Sequence, residues 1–266
     1  MVKSAAPDEI LIVVDAGNTN TVVGVFRGDV LVASFRLSTD TEKTSDEYAA
    51  LLLPLLGRAG VDPSAASSVI VSSVVPPLNI TLARLSQELF GHRAMFVEPG
   101  IKTGMPIRYD HPAEVGADRI VNAVAAREKY GAPVIVVDFG TATTFDVVNA
   151  AGEYAGGIIS PGILISAEAL FAHASRLYRV DVRRPPELVG RNTANAMQAG
   201  IYYGYIGLVD GILERLTAEL GEVREIVATG GQAELIASGS RYLRKVEPLL
   251  TLEGLKLIHD RNRSHA

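Results

Sequence analysis

Two aspartates stand at matching places in a repeated segment. Val13-Val14-Asp15-Ala16-Gly17-Asn18-Thr19-Asn20-Thr21 returns as Val136-Val137-Asp138-Phe139-Gly140-Thr141-Ala142-Thr143-Thr144. Asp15 and Asp138, Gly17 and Gly140, and Thr21 and Thr144 are each 123 residues apart, nearly half of the 266-residue chain. Each copy is an apolar run, an aspartate, a glycine turn with hydroxyl or amide side chains, and a second apolar run. A carboxylate is costly to bury unless it meets a cation or hydrogen-bond donors. Glycine lets backbone approach a ligand closely, and the N–H groups of such a turn form an anion-binding concavity. Thr19, Thr21, Thr141, Thr143 and Thr144 add hydroxyl donors. A carboxylate for a metal beside donors for phosphate suits a nucleotide, because Mg2+ is commonly held by one or two carboxylates plus substrate phosphates. For one turn alone, Asp and Thr satisfying turn backbone explains the pattern as well. The in-register repeat favours two phosphate-holding hairpins facing a nucleotide cleft.

A third carboxylate lies in Gly116-Ala117-Asp118-Arg119, at the start of a helix whose next residues, Ile120, Val121, Ala123 and Val124, are apolar. Asp118 there can take a proton from a substrate hydroxyl, and such a base is worth about 10²–10⁴-fold in rate. Arg119 offers a fork of donors to a carboxylate or phosphate. The alternative is an aspartate placed for the helix dipole, worth about 0.3–1 kcal/mol, with Arg119 in a surface pair.

The elements that must hold these groups read as follows. Apolar runs bounded by turn residues predict strands at 10–15, 21–27 and 30–38, with Gly28-Asp29 as a tight hairpin. Thr44 and Glu47 form a capping box for a helix through about Leu56, strained by Pro54 in its last turn. A strand at 67–75, a helix at 80–89 and a short strand at 94–97 follow. A loop over 98–114 leads to a helix over 117–130, and the domain seam falls near that helix. The second copy predicts strands at 134–138, 143–149 and 155–159 and a helix from Ile163. A long helix over 193–220 carries Gly200, Gly204, Gly207 and Gly211 on one face. Each glycine costs about 1 kcal/mol against alanine in a helix, so something must approach that face closely: the sheet of the same subunit, a partner subunit or the nucleotide. A strand at 225–228 enters the Thr229-Gly230-Gly231 turn, and 252–262 is helical. Strands and helices in this order, twice over, make a duplicated α/β fold.

Composition narrows the classes. The chain is 48% hydrophobic and has no cysteine, so disulfides and thiolate metal sites are excluded. A net charge of −5 argues against nucleic acid or an anionic membrane as partner. Residues 1–9 lack a signal-peptide pattern, and the uncharged stretch 63–83 is interrupted by serines and prolines, so no membrane span is expected and the protein is expected to be cytoplasmic. There is no Gly-Lys pair of a P-loop, no GxGxxG, no HExxH and no GxSxG. The five histidines are scattered and take ordinary roles.

The Asp-x-Gly-Asn-Thr turn at 15–19, Gly116-Ala117-Asp118-Arg119, the run 138–146 and Gly157-Ile158-Ile159-Ser160-Pro161-Gly162 together resemble type III pantothenate kinase. The resemblance runs from about Ile10 to Asn262. It takes in Gly190-Arg191-Asn192-Thr193, the segment around 201–205 and the tail 250–255, and departs only at residues 1–9. It implies a duplicated ribonuclease H-like, or actin-like ATPase, fold, with two similar halves and a nucleotide cleft between them. Residues 10–127 would form the first half and 128–246 the second, with a C-terminal helical segment, 247–266, packing back on the first. It implies transfer of the γ-phosphoryl of ATP to the primary hydroxyl of pantothenate, the first step of coenzyme A synthesis. Asp15, Ala16, Gly17, Asn18, Thr19, Asn20, Thr21 and Val22 would cradle the phosphates, with Asp15 on Mg2+ directly or through water. Thr141 would contact ATP, and Asp138 would hold K+ or NH4+. Asp118 would be the base. Pantothenate would meet Tyr109, Gly116, Ala117, Asp118, Arg119 and Thr193, in a homodimer. The Gly230-Gly231 turn would lie near adenosine. The competing readings are another small-molecule kinase of the superfamily, or a non-catalytic nucleotide-binding regulator. Zero cysteines weigh against the zinc-bearing sugar kinases, and three intact carboxylates weigh against the regulator.

Overall fold

The structure, a computed structural model, describes residues 9–263. The expectations for the first eight residues lie outside that range, as do the last three residues of the 247–266 segment.

The elements in chain order are β1 (Ile10–Ala16), β2 (Asn20–Arg27), β3 (Val30–Ser38), α1 (Ser45–Arg58), β4 (Ala66–Ser73), α2 (Asn79–Phe90), β5 (Met95–Phe96) and α3 (Ala117–Tyr130). They continue with β6 (Val134–Phe139), β7 (Ala142–Val148), β8 (Tyr154–Pro161), α4 (Ile163–His173), α5 (Thr193–Leu220), β9 (Glu225–Thr229), α6 (Ala233–Ala237), β10 (Lys245–Val246) and α7 (Leu250–Asn262). The strands form two five-stranded sheets, ordered β3-β2-β1-β4-β5 and β8-β7-β6-β9-β10. The orders are the same once the second set is renumbered. In each sheet the first strand pairs antiparallel with the second and parallel with the fourth. The repeat seen in the sequence is therefore a repeat of topology, and the fold is a duplicated α/β fold.

The pairing differs by one residue. Ala16 faces Thr21, whereas Phe139 faces Thr143. The second hairpin closes one residue sooner, so the structural counterpart of Thr21 is Thr143, not Thr144. A one-residue slip sends a side chain to the other face of a sheet. Thr21 and Thr143 are accordingly both buried, and Thr144 is not.

The described chain divides into two compact units. One holds the described residues up to Pro106, Asp110–Ala125 and those from Thr251 on; the other holds Ile107–Tyr109 and Ala126–Leu250. In the first, β1 residues Ile10, Ile12 and Val14 pack with Tyr48, Leu52 and Leu56 of α1 and Leu82 and Leu85 of α2. Val13 is also fully buried. A strand covered on both faces reads as a continuous apolar run rather than an alternation. Both bonds of the Thr44–Glu47 capping box form, and α1 runs four residues past Pro54 to Arg58. In the second unit, Ile135, Val137 and Phe139 of β6 pack on Tyr202, Tyr205, Val209 and Leu213 of α5.

That packing corrects one expectation. The stripe of α5 laid on its own sheet is Tyr202, Tyr205, Ile206, Val209 and Leu213, and the glycines point elsewhere. A Cβ at Gly200, Gly204 or Gly207 would meet nothing within 4 Å. The sheet of the same chain does not approach the glycine face.

Helix α7 closes the first unit. A Cβ at Gly254 would lie 2.3 Å from the Val121 carbonyl oxygen, so the α7 and α3 backbones touch. Lys256 Nζ donates to Asp260 Oδ2 at 2.6 Å and meets Asp29 Oδ1, in the turn between β2 and β3, at 2.8 Å. Burial disfavours the ammonium, yet the two carboxylates outweigh burial and hold its pKa above the ordinary lysine value. A raised lysine pKa stabilises the fold below the unfolded value and loses that stability as pH rises through the folded one. Lys256→Met is expected to destabilise the protein by about 2 kcal/mol, below the 3–5 kcal/mol of a fully buried pair, because Asp260 keeps its contact with His259 and Asp29 is exposed. Urea unfolding at pH 7 measures it.

Candidate active site

In the first unit the site residues gather where β1, β4 and α3 meet at the carboxyl ends of the strands, the usual place for ligands in open α/β sheets. Asp15 is the penultimate residue of β1 and is half-buried; Ala16 after it is fully buried. Gly17 N–H donates to the Asn20 carbonyl at 3.0 Å, closing the turn, and Asn18 and Thr19 stand exposed at its tip. Asn20 and Val22 on β2 are half-exposed. Thr39, from the end of β3, fixes the turn from behind. Its hydroxyl donates to Gly17 O at 2.6 Å and lies 2.9 Å from the Thr21 hydroxyl. A hydroxyl has one proton, so Thr21 gives its own to Thr39.

Val74 ties this turn to the third carboxylate. Its N–H donates to Ala16 O at 3.0 Å, and its Cγ1 stands 3.5 Å from the place of a Gly116 Cβ. Asp118 sits in the first turn of α3, where its Oδ1 accepts from the Arg119 N–H at 2.7 Å. A Cβ on Gly116 would come within 2.6 Å of that same oxygen. Only glycine leaves the carboxylate where it is. Burial pushes the Asp118 pKa above the ordinary aspartate value, against the opposing pull of the Arg119 N–H and guanidinium. Ala117 is half-exposed and Arg119 is 6% exposed, a buried cation rather than a member of a surface pair.

Gly116→Ala offers a test that separates geometry from folding. The clash falls on the end of a side chain, so the fold survives while the carboxylate is displaced. Turnover is expected to fall about 10²-fold, the scale of a 1 Å misplacement, with little change in melting temperature.

In the second unit Asp138 is the penultimate residue of β6, as Asp15 is of β1. Two glycines box its turn. Gly162, at the N-cap of α4, donates to Thr141 O at 3.1 Å, and a Cβ there would strike the Thr141 and Gly140 carbonyl oxygens at 2.2 and 2.6 Å. Gly230 has φ +91°, and its Cβ would lie 2.5 Å from Asp138 Oδ1 and 2.7 Å from the Phe139 backbone. Both the left-handed backbone and the contact require glycine there. Thr141 is exposed. Thr143 is fully buried and bonds Tyr205, whose hydroxyl donates to Pro161 O at 2.9 Å. Thr144 donates to Asp146 at 2.9 Å. Of the five threonine hydroxyls, those of Thr21, Thr143 and Thr144 thus brace the hairpins from within, while Thr19 and Thr141 stand at the turns.

Tyr109 is 37% exposed and lies against Tyr154 of β8. Thr193, first residue of α5, follows Asn192, whose Oδ1 accepts from the Asn195 N–H. Thr193 lines a groove of about 760 Å³ with Ser166, Leu170, Asn192 and Met197. Among the described residues no group of three His, Asp or Glu could cage a metal.

Sequence reasoning missed Thr39 and Val74, and it named Gly162 and Tyr205 only within longer segments, without their contacts. Their roles depend on chain segments that meet only after folding. Gly230 was visible as part of a backbone-exposing turn, although its packing on Asp138 was not.

The family model for type III pantothenate kinase matches residues 11–215. A type III pantothenate kinase of Geobacter sulfurreducens is 57% identical over 254 residues, covering 96% of this chain and 100% of that one. One of Myxococcus xanthus is 56% identical over 253 residues, covering 95% and 99%. Among solved structures, a 2-dehydro-3-deoxygalactonokinase protein from Sinorhizobium meliloti superposes with a TM-score of 0.62 at 12% identity, over 96% of this chain and 98% of that one. A conserved protein of the Baf transcriptional-activator family from Campylobacter jejuni gives 0.59 at 20% identity, over 95% and 99%. At such identities the structural likenesses speak for the fold alone. The sequence matches, spanning almost all of both chains and including the Asp15, Asp118 and Asp138 segments, show that this chain belongs to the type III pantothenate kinase family.

Proposed function

We propose that this chain phosphorylates pantothenate from ATP with Asp118 as proton acceptor. The observation that carries the reading is the placing of the Asp118 carboxylate: it is half-buried in the first turn of a helix, held by the Arg119 N–H, and a glycine keeps its place clear. Asp118 takes the proton of the primary hydroxyl as that oxygen bonds to the γ-phosphorus; the bond from phosphorus to the β–γ bridging oxygen breaks, and ADP leaves. Phosphoryl transfer asks mainly for positioning and charge stabilisation. The Asp15 turn, residues 15–22, and Thr141 are assigned to ATP, with the buried Ala16 and Thr21 shaping the turn rather than touching the nucleotide. Tyr109, residues 116–119 and Thr193 are assigned to pantothenate.

The donor sets fit the ions expected. Asp15 without a cage of further carboxylates suits Mg2+, which keeps waters and phosphates as its other ligands. Asp138, closely walled by Gly230, offers one carboxylate beside turn backbone and is assigned to a monovalent cation, K+ or NH4+. When bound, these ions offset the charge on the transferring phosphoryl group.

A homodimer is part of the reading. The glycine face of α5 is open, Gly200 on it lines one groove with the exposed Leu170 of α4, and α4 also exposes Leu164 and Ile165; small residues let a partner helix come close. Sedimentation is expected to give twice the monomer mass. We assign the chain to the cytoplasm and to the first step of coenzyme A synthesis; no described helix is long and apolar enough to cross a membrane.

The direct test supplies ATP and Mg2+ with pantothenate, and separately with sugars and acetate, with and without K+, and detects products by mass. Phosphorylated pantothenate, formed faster with K+, is expected. A phosphorylated sugar instead would point to another kinase of the fold, and ATP binding with no product would point to a regulator.

A further inference from the structure

Residues 107–109 are held by the second unit although the chain on either side belongs to the first. Three contacts fix them to the hairpin of β7 and β8. Ile107 forms a parallel bridge with Tyr154, and the Arg108 N–H donates to Tyr154 O at 2.8 Å. The Arg108 guanidinium places Nε and Nη2 on Glu153 Oε1 at 3.0 and 2.8 Å. The Tyr109 ring then lies on the Tyr154 ring, centroids 6.5 Å apart and planes at 49°.

Tyr154 is itself pinned from below. It is fully buried, and its hydroxyl donates to Asp146 Oδ1 at 2.7 Å. Asp146 is also fully buried, and its other oxygen accepts from the Thr144 hydroxyl at 2.9 Å. Two residues apart on β7, Thr144 and Asp146 share one face of the strand. A buried carboxylate this deep is costly unless bonded, and nothing in the strand pairing calls for one. Its visible effect is to fix the tilt of Tyr154, the platform under Tyr109. Strand β7 begins directly after Thr141. One rigid strand therefore carries both the Asp138 turn at its start and the support of Tyr109 along its length.

We propose that Tyr154, held by Asp146, is a positioning residue for Tyr109 and through it for the acceptor substrate. The inference rests on Tyr109 meeting pantothenate. Neither Tyr154 nor Asp146 touches the reacting atoms. Their effect is on how well the acceptor is held, so it falls on the KM for pantothenate and leaves that for ATP alone.

The test is a double-mutant cycle on the full-length protein. Tyr154→Phe keeps the ring and removes the bond to Asp146. It is expected to raise the KM for pantothenate on the order of tenfold, since small displacements of a positioning group carry large kinetic effects. Residues that act through one another do not add, so in a Tyr109→Ala background Tyr154→Phe should have little further effect. Arg108→Ala, which alters an exposed side chain and leaves folding intact, should raise the same KM about threefold and also fall silent beside Tyr109→Ala; it stands in if Tyr154→Phe does not fold. If Tyr109→Ala raises the KM while Tyr154→Phe and Arg108→Ala leave it unchanged, the positioning inference is overturned and the reading of Tyr109 stands. If Tyr109→Ala itself leaves the KM unchanged, Tyr109 is not a pantothenate contact and the inference falls with it. Equal effects of Tyr154→Phe with and without Tyr109 also overturn it.

Discussion

Asp118→Asn is expected to lower turnover by about 10²–10⁴-fold, the worth of a general base, and to raise the melting temperature at neutral pH. The loss follows because an amide accepts no proton from the substrate hydroxyl, while Asn can still accept from the Arg119 N–H that Asp118 engages. ATP affinity should be retained. The gain in stability follows from the raised pKa of the carboxylate, whose first cause is burial. A carboxyl with a folded pKa above its unfolded value is bound to its proton more tightly in the native state. It stabilises the fold at low pH, and that contribution is lost as pH rises through the folded value. At neutral pH the native protein carries the burial of an ionised group that Arg119 only partly offsets, a burden the neutral amide of the variant does not carry. The gain should shrink as the pH is lowered toward the ordinary aspartate range. Circular dichroism melts at two pH values measure it. Such a trade of stability for activity is usual at strained sites.

Asp138→Asn should lower turnover about 10²-fold, the effect of removing one preorganised electrostatic group, and abolish the response to K+. Asn has nearly the shape of Asp, so the close seat of Gly230 against that side chain and the Phe139 backbone is kept. What is removed is the negative charge that would hold a cation beside the turn. The measurement is kcat titrated with KCl at constant ionic strength. Saturable K+ activation surviving in the variant would show that the cation is held elsewhere.

The hairpins, α3 and α5 were legible from the sequence because their signals are local and dense. The Gly28-Asp29 turn fixes β2 against β3, and α3 begins and ends where Ala117 and Gly131 predict. The boundary of α1 was less so. Pro54 lies within the helix, and its packed face of Tyr48, Leu52 and Leu56 carries the helix through the residue that should strain it. The glycines of α5 led to the expectation of a close approach, and among the described residues nothing comes near Gly200, Gly204 or Gly207, because the sheet takes another stripe of the helix. The residue types of the candidate site were readable, since carboxylates and glycines at turn positions have few other uses. The supports of the site were not. Thr39 is an ordinary loop threonine until it meets Gly17, and Asp146 is an unexplained charge in an apolar strand until Tyr154 folds over it. The one-residue difference between the hairpins also escaped the sequence, because equal spacing in the chain does not fix equal turn length.

The measurement that bears most directly on the account is the pH dependence of kcat/KM for pantothenate, for the native protein and for Asp118→Asn. This ratio reports the free enzyme's essential groups. A base must be ionised to act, so the native protein should gain activity as pH rises through a pKa above the ordinary aspartate value, and the variant should lack that acid limb while remaining far slower throughout. An identical acid limb in both proteins would mean that another group takes the proton.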